Sequence, residues 1–169
     1  MENRAYIVTH DQQTSYLEVV DISNPAAITS LGLYTDPLLG SELTIAGGRA
    51  YVMDNTGGIA IIDIHDATKP MLLGKYAGAG MGITPYRGPL PVLDNIIFVP
   101  SDKEQLTEIQ MVDVSIPAHP VMRGRFSVPY FISGLQVAKE HAYITRGGMA
   151  DDMLIYRLGV GEFLPIIRR

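Results

Sequence analysis

A chain of 169 residues with 47% apolar and 18% charged side chains has the balance of one globular domain with a sizeable core. Its net charge of −5, carried without any basic stripe, argues against nucleic acid as a partner. It has no cysteine, which removes disulfides and thiolate metal sites and leaves the redox compartment open.

Met1-Glu2-Asn3-Arg4 lacks the apolar run of a signal peptide, so any export signal is expected outside this chain. No run of about 18 apolar residues is present to span a membrane.

The 17 glycines and 11 prolines fall every few residues, too often for helical periodicity. The stretches between them are short, β-branched and aromatic, as strands are. Residues 4–9 read as a strand, 10–14 as a polar turn, and 16–22 as the next strand. Residues 23–27 form a loop and 28–34 a third strand. After the connection Asp36 to Gly40 comes a strand over 41–46, then the Gly47-Gly48 hairpin turn.

The cycle then restarts. Arg49-Ala50-Tyr51 repeats Arg4-Ala5-Tyr6, and strands follow over 59–64 and 71–76. Residues 77–91 are a Gly- and Pro-rich connection. Ile96 to Val99, Glu108 to Val114 and Val121 to Phe126 form the third cycle. Gly134 to Ala138, His141 to Ile144, Leu154 to Tyr156 and Leu164 to Ile167 form an eroded fourth, with Tyr156 read at the acidic position.

The spacing inside the cycle is fixed. Asp21, Asp63 and Asp113 each precede a glycine by eleven residues (Gly32, Gly74, Gly124) and an aromatic by thirteen (Tyr34, Tyr76, Phe126). The second-strand aromatics Tyr6, Tyr51, Phe98 and Tyr143 recur at steps of 45, 47 and 45. A unit of roughly 45 residues with four short strands is a propeller blade. The expected fold is an all-β β-propeller of four blades, approximately 4–40, 41–88, 89–132 and 133–169, the first lacking its inner strand. A β-sandwich would also give short strands, but not one phrase three times at one offset.

The phrases Val20-Asp21-Ile22-Ser23-Asn24-Pro25 and Gly58-Ile59-Ala60-Ile61-Ile62-Asp63-Ile64, with Leu72-Leu73-Gly74-Lys75-Tyr76, resemble the LVIVD repeat. The resemblance covers nearly the whole chain. It implies a β-propeller and, because the family is known mostly from bacterial and archaeal surface or secreted proteins, an extracellular or cell-surface address. It does not imply an activity.

Asp21, Asp63 and Asp113 are expected to cap loop N–H groups, since a cap is needed in every blade and an active site only once. Gly32, Gly74 and Gly124 are expected to permit a bulge or a close neighbour in the outer strand. The second-strand aromatics are expected to fill the space between blades.

From each of these aromatics to its Asp the length runs 15, 12 and 15; from outer-strand aromatic to the next second-strand aromatic it runs 17, 22 and 17. The varying connections emerge on one face of a propeller, where binding usually lives. Tyr86 and Arg87 in the glycine-rich connection, with His10, Asp54 and Arg146 in turns on that face, are the candidate ligand or partner residues. The segment has no phosphate-loop pattern, and no histidine has metal-ligand spacing. No cofactor, catalytic residue or metal ligand is assigned.

The expected function is a non-enzymatic binding or scaffolding module. The alternative is a hydrolase or lyase, metal-dependent or not, with a site at the axial channel. A blade without its inner strand leaves the ring incomplete. The expected completion is self-association of two chains, against further blades of a longer chain or closure with an imperfect seam.

Overall fold

The computed structural model describes residues 3–11, 13–78, 86, 88–103, 106–129, 131–146, 153–159 and 165–168. Among them the regular structure is all strand, in four antiparallel sheets that follow one another along the chain. The first sheet holds β1 (Arg4–His10), β2 (Ser15–Asp21) and β3 (Thr29–Thr35). The second holds β4 (Leu39–Ala46), β5 (Arg49–Asp54), β6 (Ile59–Asp63) and β7 (Met71–Tyr76). The third holds β8 (Val92–Leu93), β9 (Ile96–Lys103), β10 (Leu106–Asp113) and β11 (Val121–Pro129). The fourth holds β12 (Ile132–Ala138), β13 (His141–Arg146), β14 (Met153–Arg157) and β15 (Pro165–Arg168). The first sheet has three strands where the others have four.

Local chemistry fixes the hairpins. Gly47 and Gly48 have φ of 56° and 70°, the double left-handed geometry of a type I′ turn. Asp94 and Asn95 take the same geometry in the third sheet, at 49° and 63°, which short polar side chains tolerate.

One backbone bond recurs in all four sheets and sets the register. Ile22, Ile64, Val114 and Leu158 each donate an N–H to the residue just before the second strand, Asn3, Gly48, Asn95 and Glu140, at 2.7–3.0 Å. Arg4 thereby faces Asp21, Arg49 faces Asp63, Ile96 faces Asp113 and His141 faces Arg157. Arg157, not Tyr156, therefore holds the acidic position in the fourth sheet. Tyr156 pairs with Ala142 and takes the place of Ile62, which pairs with Ala50. The turn before β14 differs in length, so only strand pairing reveals this offset.

Each last strand is bulged at one place. Val19, Ile61 and Met111 pair with Gly32, Gly74 and Gly124, and the next residue skips one partner. The fourth sheet bulges likewise, with Ile167 at the glycine position. A bulge strengthens the local twist and bends the strand.

The core lies between sheets. Leu17, Tyr6, Val8 and Tyr34 of the first sheet meet Ala50, Val52, Ala60 and Ile62 of the second. A larger cluster joins the opposite face of the second sheet, through Tyr51, Ile59 and Ile61, to the third and fourth. Each fully buried aliphatic side chain here contributes about 1.5–3 kcal/mol. Tyr51 and Phe98 are 2% exposed and fill inter-sheet space as expected. Tyr143 does not. It is 37% exposed, because among the described residues no sheet packs on its side of the fourth sheet.

Candidate functional site

The turns between second and third strands are joined to the connections between sheets. Asp54 closes its turn by accepting from Thr56 N at 2.8 Å, Thr56 Oγ1 at 2.6 Å and Gly58 N at 2.8 Å. The adjacent Asn55 N–H donates to Leu38 O at 2.8 Å, in the connection from the first sheet. Asp36 N in that connection donates to Ser15 O at 3.0 Å. These bonds hold the Asp54 turn and the 36–38 connection side by side.

His10 ends β1, exposed, with Nδ1 2.8 Å from Ser15 Oγ. Asp11 beside it accepts from Gln13 N, Thr14 N and the Tyr16 hydroxyl. The Tyr16 bond, then the two N–H groups, hold the Asp11 carboxyl below its ordinary range. Arg146 ends β13, half-buried and opposite Ile132. His10 and Asp54 thus share a surface type but bond within separate turns.

Tyr86 lies elsewhere. It is 1% exposed and belongs to the core between the second, third and fourth sheets, so it cannot be the surface contact its sequence neighbourhood suggests. Its hydroxyl donates to Pro89 O at 2.8 Å. Burial pushes it up to about 12; the Leu135 backbone opposes this, and the Glu42 charge adds to it. Glu42 is on β4 and Leu135 on β12, both first strands of their sheets. A tyrosine between glycines carries no sequence signal separating core from surface. Arg87 lies outside the described residues.

The repeated carboxylates bond to their own loops. Ser23 N donates to Asp21 at 2.7 Å, His65 N to Asp63 at 3.0 Å and Ser115 N to Asp113 at 2.9 Å. Asp113 is pushed down to about 2 by the Ser115 hydroxyl and N–H and then by Arg123, whose Nη2 lies 2.8 Å away. Among the described residues no three His, Asp or Glu side chains gather as a metal site requires.

Polar links cross between sheets at two joints and were invisible in the sequence. Lys75 Nζ lies 2.5 Å from Asp36 Oδ2, to which the Tyr34 hydroxyl also donates at 3.2 Å. Burial alone would raise Asp36, but Lys75, the Leu38 N–H and Tyr34 together lower it. In the next joint Tyr76 donates to Gln110 Oε1 at 2.7 Å, and Arg49 Nη1 to Val114 O at 3.2 Å. Only the repeated aromatic at Tyr34 and Tyr76 hinted at these positions.

The LVIVD repeat family model matches residues 1–36, 40–78 and 103–128, more than half of the chain. No curated protein matches significantly. Among solved structures, a chain from the S. cerevisiae complex of Dbp5 with Nup159, Gle1, IP6 and ADP is similar in fold, with a TM-score of 0.56 at 8% identity. The match covers 99% of the present chain and 43% of that one. In all, 88 solved chains match, so the likeness marks a widely used fold and not one activity.

Proposed function

Because the chain belongs to the LVIVD repeat family, we propose that its four sheets are propeller blades, approximately 4–40, 41–88, 89–132 and 133–169. In this reading the protein is a non-enzymatic binding or scaffolding module. It acts through the face built from the second-to-third-strand turns and the inter-sheet connections. His10, Asp54 and Arg146 are the contact residues proposed there, and Arg87 belongs to the same connection as Tyr86. The observation that carries the reading is the Asn55–Leu38 bond. It anchors a polar turn of fixed geometry to a connection whose length varies, which is how a rigid scaffold presents a binding surface. The repeated carboxylates support it too, each being engaged by its own loop.

Site-specific photo-crosslinkers at His10 and Thr56 test this, with controls at Asn24 and Ser115 in the capping loops. Recovery of one protein partner from the first pair and none from the controls is expected. A divalent-cation thermal-shift screen tests the opposite outcome. Stabilisation by Ca²⁺ or Mn²⁺ that is lost in Asp54→Ala would move the reading to metal-dependent chemistry.

A further inference from the structure

Each inner joint pairs two faces: the trailing face of one sheet and the leading face of the next. The leading face of the second sheet carries Ala50, Val52 and Ile62; that of the third carries Ile97, Val99 and Val112; that of the fourth carries Ala142, Ile144 and Tyr156. All nine are buried. The corresponding positions in the first sheet are Ala5, Ile7 and Val20. There Ile7 is 42% exposed, while Val20 stays buried at 6%.

The other end of the array is open on the opposite kind of face. Tyr51, Ile59 and Ile61 form the buried trailing face of the second sheet. Their register equivalents in the fourth are Tyr143, Met153 and Ile155. Tyr143 is exposed as noted, and Met153 is 39% exposed.

We infer that the leading face of the first sheet seats on the trailing face of the fourth sheet of a second copy, and that two copies close about a two-fold axis into one eight-sheet ring. This rests on reading the sheets as blades. A second copy is the occupant because the two open faces are the two halves of the joint this chain already makes within itself, at the same register positions. One feature of the inner joints is not repeated. Ile167 stands in β15 where Gly32 and Gly74 admit a neighbouring carbonyl.

Sedimentation velocity on the whole chain at micromolar concentration tests the inference. A dimer is expected. Ile7→Arg and Tyr143→Asp, each at a surface position and checked for an unchanged circular dichroism spectrum, should each weaken it by roughly tenfold or more. An equimolar mixture of the two variants should recover a dimer, because one chain keeps an intact leading face and the other an intact trailing face. A strict monomer overturns the inference, as does a mixture no better than its components, or a dimer broken by only one of the two substitutions. The crosslinking at His10 and Thr56 reads out separately, so a monomer that still captures a partner there defeats the ring and leaves the binding face standing.

Discussion

A β-carbon built on Gly32 would overlap the carbonyl oxygen of Ala67 in the next sheet and come within 2.9 Å of Pro70 Cδ. Gly74 stands in the same relation to Pro117 O, one sheet further on. The repeated glycine therefore does two things at once. It sits beside the bulge in its own strand, and it is the contact point for the loop of its neighbour. Backbone on both sides leaves little that could yield.

Gly32→Ala and Gly74→Ala should accordingly cost about 1–3 kcal/mol each or more, the range for overpacking a filled joint. Urea unfolding measures this directly. Gly47→Asn is the control. Nothing lies within 4 Å of its missing β-carbon, and its φ of 56° is one that Asn tolerates, so its effect should stay within about 0.5 kcal/mol. A harmless Gly32→Ala would show that the sheets are spaced further apart than described.

Acid should expose the Asp113 cap. Its carboxyl is lowered to about 2 in the folded protein, against an ordinary value of 3.8. A depressed carboxylate contributes stability above its unfolded pKa and loses that contribution as pH falls through the folded one. The stability gap between the parent chain and Asp113→Asn should thus be full above about pH 4 and vanish towards pH 2. Chemical unfolding at several pH values measures it. A gap that does not change with pH would mean that the charge plays no part.

The Asp36 cluster makes a spectroscopic prediction. Burial first, and then the Asp36 charge and bond, push Tyr34 up to about 12. Asp36→Asn should bring Tyr34 down while leaving it above its ordinary value, because burial persists. Ultraviolet titration of tyrosine ionisation, with Tyr34→Phe to assign the signal, reads this out. The same substitution should cost about 1–3 kcal/mol, since Lys75 and the Leu38 N–H lose a charged acceptor.

Tyr86 separates a core ring from a surface contact. Tyr86→Ala should cost about 3–5 kcal/mol, as large aromatic truncations do. Tyr86→Phe removes the hydroxyl, with its bond to Pro89 O and its contact with the Leu135 backbone, and should cost about 1–3 kcal/mol. Near-neutral behaviour of Tyr86→Ala in thermal unfolding would return this residue to the surface.

The repeat was legible because its causes are local. A turn needs Gly47-Gly48 or Asp94-Asn95, a loop corner needs Asp21, Asp63 and Asp113, and these demands recur at a fixed offset along the chain. Strand chemistry and period therefore determined, from sequence alone, the all-β class, the four sheets and the shortened first one. The placing of His10 and Asp54 at the ends of equivalent strands followed from the same period.

Tertiary structure decided what depends on distant partners. The register of the fourth sheet came from pairing across a turn of different length, which put Arg157 opposite His141. Whether an aromatic is covered depends on the sheet beside it, so Tyr51 is buried and Tyr143, its repeat equivalent, is exposed. Tyr86 is in the core because burial is a property of packing against β4 and β12, and no neighbour in the sequence records it.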